Sequence, residues 1–91
     1  MSEYIIEQLM TYLRRPFTDL KDDRDIQDRA AEDWACGQIL DRITDRPFSD
    51  PEWIIESFAY ELQSFHSEFR GIQVAMDFTY EILALIQHPK E

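Results

Sequence analysis

The sequence has a single cysteine, Cys36, so it forms no internal disulfide and nothing in it asks for an oxidising compartment. Two glycines and four prolines are too few for the many turns of an all-β fold. There is no glycine-rich phosphate loop, no cysteine pair for zinc and no spacing that makes a Ser/His/Asp constellation credible. The two histidines, His66 and His88, fall where helices are expected to end, and neither stands in a Glu-x-x-His pair of the kind di-iron bundles use. The N-terminal stretch MSEYIIEQLMTYLRR lacks a basic start and an uninterrupted apolar run, so it reads as neither signal peptide nor membrane span. A cytoplasmic location is expected.

Basic residues are scarce too. Nine Lys and Arg face nineteen Asp and Glu, a formal charge of −10. Such a field repels nucleic acid and anionic membrane and speeds the approach of basic proteins. No basic helix exists to serve as the recognition element of a helix-turn-helix. The same acidity also serves solubility alone.

A 44% share of hydrophobic residues, with two Trp, four Tyr and six Phe, is too rich for a disordered acidic tail. The pattern predicts one all-α domain over residues 1–91, a small bundle of four helices with the C-terminal helix at its centre. In that helix, Ile72 to Gln87, Val74, Phe78, Ile82, Leu85 and Ile86 share a broad apolar arc with Ile72, Met76 and Leu83. Only Gln73, Asp77, Glu81 and Gln87 mark a narrow wet stripe. A helix so apolar is normally enclosed by others.

Earlier in the chain, Ser2 to Arg14 predicts an amphipathic helix with Ile5, Ile6, Leu9, Met10, Tyr12 and Leu13 on one face. Ser2 suits its cap, Arg14 and Arg15 its negative end, and Pro16 its stop. A second helix within Lys21 to Asp45 is expected to begin near Asp22 or Asp23. Ile26, Ala30, Trp34, Gly37 and Leu40 form its apolar arc, with Cys36 and Ile43 on one flank. Cys36 has no activating neighbour in the pattern and reads as a small buried hydrophobe. Ser49-Asp50-Pro51-Glu52 announces a third helix, capped by Ser49 or Asp50, with Pro51 in its first turn and Glu52 matching a capping box from Ser49. Ile54, Ile55, Phe58, Leu62 and Phe65 make its apolar stripe. His66 to Gly71 is expected to join it to the fourth helix, with the break at Ser67 or Gly71.

One short pattern recurs. Arg15-Pro16-Phe17-Thr18-Asp19 returns as Arg46-Pro47-Phe48-Ser49-Asp50. A basic residue at a helix end, a proline stop, an aromatic and a cap describe two similar helix corners. The flanking helices align poorly, so a full duplication is not supported. An up-and-down bundle places the two corners at opposite ends.

Candidate binding residues come from two places. Asp25, Asp28 and Glu32 sit within about 60° on the helical wheel of the second helix. Trp53 and Tyr60, seven residues apart, project together off the third helix's apolar stripe, with Ser57 and Ser64 nearby. Aromatics away from a packing face suggest a contact surface, although Trp53 could instead fold back over Phe48 as a structural plug. The expected function is that of a non-catalytic acidic protein that inhibits or regulates a basic partner, such as a nuclease or nucleic-acid-binding protein, in the manner of an inhibitor, an immunity protein or a nucleic-acid mimic. The alternative is a helical module that self-associates through Trp53 and Tyr60 into a homodimer or larger assembly. A lesser one is a metal-dependent all-α hydrolase using Asp25, Asp28 and Glu32. The Glu-x-x-Glu and Glu-x-x-Asp helices favoured by all-α nucleotide pyrophosphohydrolases are absent. No cofactor or metal is expected.

Overall fold

The structure is a computed structural model, and it describes residues 2–16, 20–65 and 69–87. Four helices follow one another: α1 (Ser2–Leu13), α2 (Asp23–Asp45), α3 (Pro51–Gln63) and α4 (Arg70–Gln87). The chain is an all-α bundle, as its periodicity predicts.

The helix ends follow local chemistry. Asp22 caps α2, its side chain accepting from the Asp25 N–H at 2.9 Å, and Asp23 and Asp25 place negative charge in the first turn. Asp50 caps α3, accepting from the Glu52 N–H at 3.1 Å, with Pro51 just inside. The capping box from Ser49 does not form. The Glu52 carboxylate instead accepts from Gln87 Nε2 at 2.9 Å, tying the start of α3 to the end of α4. Gly71 does not end α3: it lies in the first turn of α4 with an ordinary negative φ. Ser67, Phe17, His66 and His88 lie outside the described residues, as does the side chain of Ser2.

Neighbouring helices alternate in direction. Leu9 of α1 meets Cys36 of α2, Arg42 of α2 meets Glu61 of α3, and Gln63 of α3 donates to the Tyr80 hydroxyl of α4. α2 and α4 therefore run parallel and pack along their lengths, with α1 and α3 on either side. α4 holds the place expected of it, buried at Ala75, Phe78, Thr79, Ile82 and Leu83 and wet at Gln73, Asp77, Glu81 and Gln87. It shares the centre with α2, which packs on all three other helices. The core combines Ile5 and Leu9 with Ile39 and Ile43, then Ile55, Phe58 and Leu62, then Phe78 and Ile82. Each such side chain contributes about 1.5–3 kcal/mol when fully buried. Tyr12 meets Phe78 edge to face, with centroids 5.1 Å apart, which fastens α1 to α4 as well.

The buried face of α2 differs from the predicted one. Ile26 is 53% exposed, Trp34 is 46% exposed and Ala30 also faces water, whereas the predicted flank, Cys36 and Ile43, is core along with Ala35 and Ile39. The cause is a three-sided environment. α1, α3 and α4 together claim the arc around Ala35, Ile39 and Ile43, and the Ile26–Ala30–Trp34 stripe falls outside it. Phe65 also differs, being 53% exposed in the turn after α3 instead of extending the stripe ending at Leu62.

Candidate functional site

The first group of candidate residues lies where α1 passes into α2. Arg29, one turn along from Asp25, is buried at 6% exposure. Its Nε donates to both carboxylate oxygens of Asp33, at 3.0 and 3.1 Å. Nη1 and Nη2 donate to the carbonyls of Pro16 and Arg15, at 3.2 and 2.8 Å. The guanidinium thus satisfies backbone acceptors that α1 leaves behind when proline stops it. Arg15 completes the corner. Its Nε donates to the Tyr12 carbonyl at 3.0 Å, its guanidinium covers the Tyr12 ring at 4.8 Å, and its Nη2 reaches Glu32 at 3.3 Å and Asp33 at 3.5 Å.

The predicted carboxylates therefore have internal partners. Asp28 takes two charge-assisted bonds from Arg70, at 2.8 and 2.6 Å, across to the first turn of α4. That fork holds the Asp28 carboxyl below its ordinary 3.8 and raises Arg70 in return. Glu32 faces Arg15, and Asp25 accepts from the Lys21 backbone N–H at 3.2 Å. A shallow cavity of about 370 Å³ lies over this group, lined by Leu20 and Pro16 together with the charged side chains. Among the described residues, no three His, Cys, Asp or Glu side chains are arranged to hold a metal ion.

The second group lies elsewhere. α2 and α3 diverge between them an open groove of about 720 Å³. Its α2 wall is Gln38, Asp41, Arg42, Asp45 and Arg46; its α3 wall is Trp53, Ile54, Ser57, Tyr60 and Glu61. Trp53 is 52% and Tyr60 77% exposed, and neither ring stacks on another described residue. Trp53 does not shelter Phe48, which is fully exposed at the corner before α3. Within the groove, Arg42 pairs with Glu61 at 2.8 Å and lies 4.7 Å above the Phe58 ring. Asp41 and Asp45, one turn apart, form no ion pair among the described residues.

The five predicted residues do not form one surface. Asp28 and Arg42 are separated by about 20 Å along α2 at 1.5 Å per residue, which puts the carboxylate group and the aromatic groove at opposite ends of the bundle. Asp41 and Asp45, absent from the predicted set, are the carboxylates that share the groove with Trp53 and Tyr60. Their i, i+4 spacing on one flank of α2 was the available signal. The repeated corners divide in the same way, with Arg15 locked into the first and Arg46 lining the groove at the second.

Cys36 behaves as predicted. It is 1% exposed, its Sγ donates to the Leu9 carbonyl at 3.1 Å, and burial pushes the thiol up to about 11. No described helix is long and apolar enough to cross a membrane. No family model, no curated protein and no solved structure matches the chain.

Proposed function

We propose that the protein is a non-catalytic binding module that holds a basic partner protein in the α2–α3 groove, with Trp53 and Tyr60 as anchors and Asp41 and Asp45 as the charged wall. The observation that carries this reading is the pairing, in one groove, of two exposed aromatic rings with two carboxylates that form no ion pair among the described residues. Aromatic anchors beside a charged rim are the usual anatomy of a protein interface. The overall charge of −10 supports a basic partner and a fast, salt-sensitive approach. Glu32 and Asp28 take a different part in this reading, tying α2 to the end of α1 through Arg15 and to α4 through Arg70, while Asp25 accepts from the Lys21 N–H just before α2.

The test is capture from lysate of the source cell on three immobilised baits: the parent, a Trp53→Ala/Tyr60→Ala variant and an Asp41→Asn/Asp45→Asn variant. The expected result is a basic protein that the parent retains and both variants lose, the aromatic variant by faster release and the carboxylate variant by slower capture at low salt. Equal retention by all three baits rules out the groove. Exposed Trp53 and Tyr60, together with fully exposed Phe48 at the corner before α3, support the self-association reading, while mutual repulsion of −10 charges opposes it. Sedimentation in high salt, where that repulsion is screened, decides between them: a dimer there favours self-association.

A further inference from the structure

Two of the chain's own arginines are held in the same way. Arg15 lies 4.8 Å above the Tyr12 ring with Glu32 and Asp33 at its edge. Arg42 lies 4.7 Å above the Phe58 ring with Glu61 at its edge. In both, the guanidinium carbon lies over an aromatic ring while its N–H groups reach carboxylates, a combination that the multi-donor guanidinium serves better than a lysine ammonium. The α2–α3 groove contains the parts of such a seat. The Trp53 and Tyr60 rings are uncovered by any described cation, and Asp41 and Asp45 stand on the opposite wall.

We propose that the groove is an arginine-recognition site: the partner segment it accepts is one that lays a guanidinium on Trp53 or Tyr60 and turns its N–H edge to Asp41 and Asp45. This rests on the groove reading and narrows it from a basic partner to an arginine-bearing one. Charge alone attracts lysine and arginine alike; the ring adds the discrimination. Trp offers the strongest face of the three aromatics for this contact. Ile54, 4% exposed, and half-buried Ser57 line the same groove beside the two rings. Arg46 lines the same groove and competes for the same seat from within the chain.

The experiment titrates the full ¹⁵N-labelled chain with hexa-arginine amide and, separately, hexa-lysine amide in dilute buffer, following the Trp53 indole N–H resonance and the amides of α2 and α3. The expected result is a shift at Trp53 and at Asp41 to Asp45, with hexa-arginine binding at least about fivefold tighter, the ratio that about 1 kcal/mol of guanidinium stacking gives. Trp53→Phe/Tyr60→Phe should keep the preference, because two rings remain. Trp53→Leu/Tyr60→Leu should abolish it while leaving charge-driven binding of both peptides. Arg46→Gln should tighten both. Equal affinities for the two peptides in the parent, or a preference that survives in the double leucine variant, overturn the inference and leave the groove reading to its own capture experiment. Shifts confined to other acidic surfaces, with none at Trp53 or Tyr60, also overturn it. Circular dichroism melts of each variant confirm that the fold is intact, and both side chains are exposed enough to be truncated without opening the core.

Discussion

Arg29 offers the sharpest test of how this bundle is held together. Its guanidinium donates to both oxygens of Asp33 and to the carbonyls of Arg15 and Pro16, at 6% exposure. Removing one member of a buried pair costs about 3–5 kcal/mol when the other charge is left stranded. Here Asp33 is 28% exposed and keeps Arg15 at 3.5 Å, and water can reach part of the opened corner. Arg29→Ala is therefore expected to cost about 2–4 kcal/mol. A chain of this length has about 5–14 kcal/mol in all, so the melting temperature should fall by about 10–25 °C. Arg29→Lys keeps the charge but not the fork, and should fall between the two. Urea unfolding followed at 222 nm gives the difference, with an unchanged m-value as the check that the transition stays two-state. A loss under about 0.5 kcal/mol, the range of ordinary surface substitutions, would show that the corner is held by something other than this guanidinium.

Three further outcomes follow from the packing. Phe78→Ala removes the ring that meets Tyr12 edge to face in the core and should cost about 3–5 kcal/mol by chemical denaturation; parent-like melting would remove α4 from the centre. Cys36, with its thiol pushed up to about 11, should react with iodoacetamide at pH 8 only as fast as the protein opens, and labelling at the rate of a free thiol would contradict its burial. Asp28 is held below 3.8 by the Arg70 hydrogen bonds, so the pair stabilises the fold above the unfolded-state value and ceases to do so as pH drops through the lowered one. Carbon-detected titration should find Asp28 below 3.8 and find it raised in Arg70→Gln; no change in that variant would detach the shift from Arg70.

The ends of α1 and the starts of α2 and α3 were legible because they are local chemistry, whereas the passage from α3 to α4, left open between Ser67 and Gly71, was not. Asp22, Asp50-Pro51 and Pro16 act within a turn of where they stand, and α4 shows its wet stripe at Gln73, Asp77 and Glu81 without help from its neighbours. The face of α2 was not legible in the same way. It carries two apolar stripes, Ile26–Ala30–Trp34 and Cys36–Ile39–Ile43, and periodicity along one helix cannot rank them when three other helices choose. The large area of Trp34 favoured the wrong one. Arg29 was missed because an arginine reads as surface. Yet it stands seven residues before Cys36 and fourteen before Ile43, on the face that turned out to be buried, and that register was its only signal. The internal partners of the candidate carboxylates were illegible for a related reason. A helical wheel shows which acids are neighbours but not that Arg15 and Arg70, 13 residues before and 42 after Asp28, arrive to pair with Glu32 and Asp28.

The order in which the helices pack bears on how quickly the chain reaches this structure. α1 with α2, α2 with α3 and α3 with α4 are all associations between elements adjacent in sequence, and each closes a short loop at little entropic expense. The extensive exception is α2 with α4, which must meet across the whole of α3. A search dominated by local encounters is fast, so the rate-limiting event falls on that one docking. Its outermost tie is the Asp28–Arg70 fork, spanning 42 residues. Substitutions at the Arg29 corner, which joins sequence-adjacent helices before that docking, should therefore slow folding itself, and contacts of the α2–α4 seam completed after the docking should chiefly govern unfolding.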